Sequence, residues 1–318
     1  MRNWLDQGTN EARSRHTVLA NGLKLEQAVG IVSAASKLKG NDVVTNIIGA
    51  VLRSILVWIL VITPSVILTG IVGESSFTVV FIAFLAALFT FVEYFFKYPS
   101  IIEFRFAAPF NRHRYVTILA IVTALSLVCK GVFEPTELTL SIKHWGDMLG
   151  RAIDVPYSPV RLIILMLDAD ASIELVEIVR TAAGLAYAIS LLSLVVFILL
   201  VRVANWPTRT GAFNVWLNLP LFDPTGGGDV LVRLKRDANI NIIFGFLLPF
   251  LIPAIVKTAT DLVGNLTMDD PQTLIWTISA WAFLPASMIM RGVAMGRLAE
   301  MIEEKRRRAY AQTEAQIA

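Results

Sequence analysis

"TAAGLAYAISLLSLVVFILLV", residues 181–201, runs for 21 residues without an acidic or basic side chain and is framed by Arg180 and Arg202. A helix of about 20 apolar residues, rising about 1.5 Å per residue, crosses the roughly 30 Å hydrocarbon layer of a bilayer. Charges at both ends then sit where headgroups and water solvate them. The stretch predicts a transmembrane helix, and it sets the template for the rest of the chain.

Five further segments fit the template, giving spans at 51–73, 75–96, 115–133, 181–203, 238–257 and 271–291. The third is short as an uncharged run. It reaches a spanning length when Lys130 stretches its ammonium toward the headgroups, so that the helix continues to Phe133. Composition agrees: 55% of the 318 residues are hydrophobic and 17% are charged, against about a quarter charged in soluble domains. The expected fold class is therefore all-α, a polytopic integral membrane protein with six transmembrane helices.

Lys and Arg counts orient the spans, because cytoplasmic connections are enriched in them. The N-terminal segment, the 97–114 loop, the 202–237 loop, the tail and Arg53 together carry 22 of the 28 basic residues on one side. Only Lys130, Lys143, Arg151, Arg161, Arg180 and Lys257 fall on the other. Both termini are accordingly expected in the cytoplasm. The organisation is a cytoplasmic segment 1–46 and a transmembrane domain 47–290, then a cytoplasmic helical tail 291–318. Within that domain lie an extracytoplasmic segment 133–180 and a cytoplasmic loop 204–237. The bacterial inner membrane is the expected location. No cleavable signal peptide is expected, since about 45 mostly polar residues precede the first long apolar run.

Several classes are excluded or disfavoured. The single Cys129 lies in an apolar run, which excludes an intramolecular disulfide and a multi-cysteine zinc site. The net charge of +3 resides beside apolar runs rather than on a soluble basic face, so nucleic acid is not an expected partner. His16, His113 and His144 are the three histidines, and the topology separates His144 from the other two. Motifs for metalloproteases and serine hydrolases are missing. No catalytic residue, cofactor or metal is assigned.

The remaining signals bear on binding and transport. Arg112 and Arg114 sit at the mouth of the third span, and Arg233 and Arg236 in the cytoplasmic loop, where topology and contact with anionic lipid explain them. Pro64, Pro249, Pro253 and Pro285 interrupt spans. Each removes a helix hydrogen bond and frees a carbonyl, as in the broken helices that line transporter pathways or as in static kinks. Ionisable side chains fall near span ends, which disfavours proton coupling through buried carboxylates.

Outside the spans, "LTLSIKHWGDMLGRAI" (138–153) reads as an interfacial helix with Leu138, Ile142, Trp145, Leu149 and Ala152 near helical spacing. The segment 155–167 is too short to span and reads as re-entrant or packed on the bundle. "DADAS" (168–172) lacks the Gly and Glu of a calcium loop and reads as a helix cap. The glycine run in "DPTGGGD" (223–229) reads as a turn. Function is expected to be channel- or carrier-like movement of a small solute. The alternative is a non-catalytic accessory subunit of a membrane complex. Partners would then be the bilayer and its anionic lipids, a second copy, or other membrane subunits docked on the tail.

Overall fold

The computed structural model describes residues 44–70, 77–96, 100–105, 107–168, 170–203, 206–207, 218–222, 228–263 and 268–317. The N-terminal segment to residue 43, with His16, and the glycine run 223–227 lie outside the described residues. Eight helices account for most of the rest, and no strand occurs among the described residues. They are α1 (Val44–Ile67), α2 (Phe77–Phe95), α3 (Phe110–Phe133), α4 (Glu137–Ile153), α5 (Pro159–Ile164), α6 (Ile173–Val203), α7 (Val230–Val263) and α8 (Pro271–Ile317). Six of them (α1, α2, α3, α6, α7 and α8) are long and apolar enough to cross a membrane. Each contains or overlaps a span expected from the sequence, and the helices run beyond the apolar runs at several ends. α1 begins at Val44, so the helix runs more than two turns ahead of Arg53.

Lipid tails are as apolar as leucine, so helices in a bilayer associate through close packing of small residues. α7 and α8 lie antiparallel along a stripe of Ala238, Asn241, Gly245, Pro249 and Pro253 that is buried, while the rest of α7 is largely exposed. A Cβ added at Gly245 would stand 2.6 Å from Ile289 Cγ1 and 2.8 Å from the Pro285 carbonyl oxygen. One added at Gly292 would stand 2.7 Å from the Ala238 carbonyl oxygen. The backbones touch, and nothing larger than glycine fits at either point.

The prolines of α7 fall on this stripe. Pro253 has no N–H, so the Pro249 carbonyl loses its donor four residues on. Trp281 of α8 supplies one: its indole Nε1 donates to Pro249 O at 3.0 Å in a buried setting. Tyr187 of α6 stacks on the same indole at 5.6 Å. The kink is thus tied to the neighbouring helix. Pro64 and Pro285 are also buried.

α4 forms as expected, capped by Thr136, whose Oγ1 accepts from the Thr139 N–H. Its division of labour is informative. Leu138 and Trp145 point outward, at 60% and 59% exposure. The inward face is made of Thr139, Gly146 and Gly150. A Cβ on Gly184 of α6 would fall 2.3 Å from Gly150 Cα, so α4 and α6 cross backbone to backbone. Asp154 then joins this corner, accepting Arg180 Nε at 2.9 Å and facing Arg161 Nε at 2.8 Å. Segment 155–167 contributes the short α5, capped by Ser158 and packed into the core through Val160, Ile163 and Ile164. Ser172 caps α6, accepting from the Leu175 N–H at 3.1 Å, and Asp168 faces Lys257 at 3.9 Å.

The interior divides along the bundle. One core gathers residues from α3, α5, α6 and α8 around Trp281. The second gathers Phe104, Phe110, Phe197 and Trp206 with the α7–α8 contact from Leu234 to Leu298. Beyond it α8 continues without a break to residue 317, so the expected helical tail is an extension of the sixth span. Lys235 holds Glu303 at 2.7 Å, and Asp229 takes both Arg306 nitrogens at 3.0 and 2.9 Å. The Arg306 hydrogen bonds, with the Leu231 N–H, hold the Asp229 carboxyl below its usual range.

Candidate anion-binding cavity

The connection between α2 and α3 folds back on the end of α2 because two side chains replace the missing helix bonds there. Glu93 Oε1 accepts the N–H groups of Ser100, Ile101 and Ile102 at 2.7, 2.8 and 3.0 Å. Arg105 donates to the carbonyls of Glu93 and Phe96 at 2.7 and 2.8 Å, and also to that of Tyr94. Phe104 adopts φ +52°, a left-handed conformation that costs a non-glycine residue about 1 kcal/mol or more. Burial of its ring offsets this, 4.5 Å from Phe110 and 5.6 Å from Trp206.

That anchored loop delivers Glu103 to α8. The Glu103 carboxylate is 7% exposed and takes Arg291 as a fork, with Nη2 at 2.8 Å and Nε on the other oxygen. Arg291 Nη1 donates to Asn241 Oδ1 at 2.8 Å, whose amide donates to the Asp237 carbonyl at 2.7 Å. Asn111 completes the network on the Glu103 carbonyl at 2.8 Å. One network thereby links the 101–103 loop, α3, α7 and α8.

Against this wall lies a cavity of about 760 Å³ between α1, α2, the 101–103 loop, α3 and α8. Its lining includes the guanidiniums of Arg53, Arg112, Arg114 and Arg291, with Glu103 as the single carboxylate. Glu103 is committed to Arg291. No ion pair to a carboxylate is made by Arg53, Arg112 or Arg114 among the described residues. Arg53 lies over the Tyr94 ring at 4.6 Å and donates to the Gly49 carbonyl at 2.7 Å. Arg114 lies between Phe110 and Phe283, at 5.3 and 5.9 Å, and its Nε is buried without a hydrogen-bond partner. Cation–π contacts of this kind contribute about 0.5–2 kcal/mol and do not neutralise the charge. The rest of the wall is largely apolar: Leu56, Val57, Val116, Ile118 and Phe283. Tyr115 closes one side by donating to the Leu56 carbonyl at 2.9 Å.

Clustered cations repel one another, and an anion in the cavity relieves that repulsion. The arrangement is suited to holding negative charge beside an apolar surface.

Of the residues singled out in the sequence, Arg112 and Arg114 line this cavity. Arg233 and Arg236 do not: Arg233 lies over Phe222 at 5.2 Å, and Arg236 meets Asp237 at 3.3 Å. Pro249, Pro253 and Pro285 lie at the α7–α8 contact described above. His113 binds to α6, with Nε2 at 2.9 Å from both the Ser193 carbonyl and its hydroxyl. Among the described residues no three His, Cys, Asp or Glu side chains converge as a metal site requires. Sequence reasoning missed Arg53, Glu103 and Tyr94 as neighbours. The only signal for Glu103 was its position as the lone acid of the basic 97–114 loop. Comparison with known protein families, with curated proteins and with solved structures finds no match to the chain.

Proposed function

We propose that this protein is a six-span integral membrane protein of the bacterial inner membrane, with both termini in the cytoplasm, acting as a carrier-like handler of an anion. The observation that supports this reading is the presence of three cavity guanidiniums, Arg53, Arg112 and Arg114, without carboxylate partners. The positive-inside bias puts the cavity at the cytoplasmic face. A cationic solute would be repelled there, and a neutral one would leave the charges uncompensated. The role is non-catalytic. Its test is counterflow of labelled organic anions in phosphatidylcholine vesicles containing the purified chain. Anion-selective flux that falls about tenfold or more in Arg114→Gln supports the reading. Flux no greater than in empty vesicles, across anion classes, sinks it.

A second reading has its own observation. α2 buries only Ala83 and Tyr94 and exposes Phe81, Phe84 and Phe89, a face wide enough for another membrane subunit. On this reading the chain is an accessory subunit. Native mass spectrometry of gently extracted protein decides it, through stoichiometric retention of companion subunits or its absence.

A further inference from the structure

We propose that the ligand of the cavity is an anionic phospholipid, its phosphate held by Arg53, Arg112 and Arg114 and its acyl chain laid along the apolar wall. This rests on the cavity being an anion site, and it names the anion.

The protein supplies its own comparison for the headgroup. A carboxylate has two oxygens, and Arg291 alone engages both oxygens of Glu103 in the same wall. Three further guanidiniums exceed what one carboxylate can use. A phosphate offers more acceptor oxygens around one centre and is matched by several guanidinium forks. Arg114 is the least exposed of the three and makes no carboxylate pair, lying between Phe110 and Phe283.

The rest of the cavity argues against a small, freely soluble anion. At about 760 Å³ it is within the range of about 300–1,000 Å³ typical of organic ligands. Inorganic phosphate would fill a corner and leave Val57, Ile118 and Phe283 facing water. The walls also lead outward into lipid: Val116 and Leu56 line the cavity and are 61% and 42% exposed on α3 and α1. A chain that starts at the arginines would leave past Val116, beside the Tyr115–Leu56 hydrogen bond that ties these two helices. Basic pockets between spans on the cytoplasmic side recognise anionic headgroups by the same physics.

The test uses the full chain, stripped of lipid in a neutral detergent and titrated in native mass spectrometry with phosphatidylglycerol. Matched titrations use phosphatidylcholine of the same chains, oleate and inorganic phosphate. One phosphatidylglycerol should bind about tenfold or more tightly than phosphatidylcholine. Arg114→Gln should remove that preference, and Arg114→Lys should restore only part of it, because an ammonium does not form the fork. Arg112 is exposed at the start of α3, so Arg112→Gln tests the same point if Arg114→Gln fails to fold. Arg236→Gln, outside the cavity, should leave binding unchanged. Oleate binding as tightly as phosphatidylglycerol would overturn the phosphate assignment. Displacement of the lipid by millimolar inorganic phosphate would overturn the lipid assignment in favour of a soluble ligand. Lipid retained without anion flux would leave this inference standing while removing the carrier reading; flux without lipid preference does the reverse.

Discussion

Trp281→Phe probes the bond that closes the proline gap of α7. The indole donates to the Pro249 carbonyl at 3.0 Å, and that carbonyl has no helix donor because residue 253 is proline. Removing the donor leaves a buried acceptor unpaired, worth about 1–3 kcal/mol in a soluble core. Interhelical hydrogen bonds in membranes average nearer 0.6 kcal/mol, since the separated helices find other partners. This carbonyl is at the interface, so about 1 kcal/mol is expected for the bond, with a further ~1 kcal/mol for the smaller ring. Pro253→Ala isolates the first quantity, because alanine returns the N–H that the Pro249 carbonyl lacks. In the Pro253→Ala background, Trp281→Phe should cost only the packing part, a coupling of about 1 kcal/mol. The assay is unfolding in mixed micelles across the four proteins of the cycle, followed by helical circular dichroism. Additive costs, within the ~0.3–0.5 kcal/mol scatter of independent sites, would refute the claim that Trp281 satisfies the carbonyl.

Gly184→Ala should destabilise the bundle by about 2 kcal/mol or more in the same assay, since its Cβ would lie 2.3 Å from Gly150 Cα; a change below ~0.5 kcal/mol would mean that the α4–α6 crossing is looser than described. Glu103→Gln should cost about 2 kcal/mol, less than the 3–5 kcal/mol of a fully buried pair because Arg291 is 29% exposed, and adding Arg291→Gln should recover part of it. A double variant worse than the sum would contradict that pairing. The Asp229–Arg306 clasp depends on an ionised carboxyl held below its usual range. Its contribution is therefore complete above the unfolded value near pH 4 and fades as pH falls below it. Asp229→Asn should accelerate amide exchange around residues 303–310 at pH 7, and wild type and variant should converge at pH 2; an equal difference at both pH values would rule the clasp out.

The six candidate membrane helices were legible in the sequence because all but the third carry a long uncharged run, and a bilayer leaves a backbone there few alternatives. Ser172 as a cap and α8 as one continuous helix were legible for similarly local reasons. What escaped was pairwise. Gly146 and Gly150 stand four apart in plain view, but only their partners in another helix, Thr181 for Gly146 and Gly184 for Gly150, show that they form a contact. The 138–153 helix displays Leu138 and Trp145 outward, so an apolar pattern that indicates burial in a soluble protein marks its exposed side here. Arg53 read as a span-edge residue because the helix start at Val44 is less apolar than the run that follows. The cavity needs five elements to meet, and no local pattern encodes such a meeting. Arg112 and Arg114 were visible as cations at a helix mouth, and their lack of counter-ions emerges only from the fold.

α8 is one rod of 47 residues, about 70 Å long, and Pro285 and Arg291 sit within its first half. Geometry alone makes it a lever. From Pro285 to the far end is about 48 Å, so a tilt of ten degrees at the proline sweeps the tip through about 8 Å. The Lys235–Glu303 and Asp229–Arg306 pairs yoke the start of α7 to the moving arm. Any such tilt would have to carry α7 with it, because the two helices touch backbone to backbone at Gly245 and Gly292.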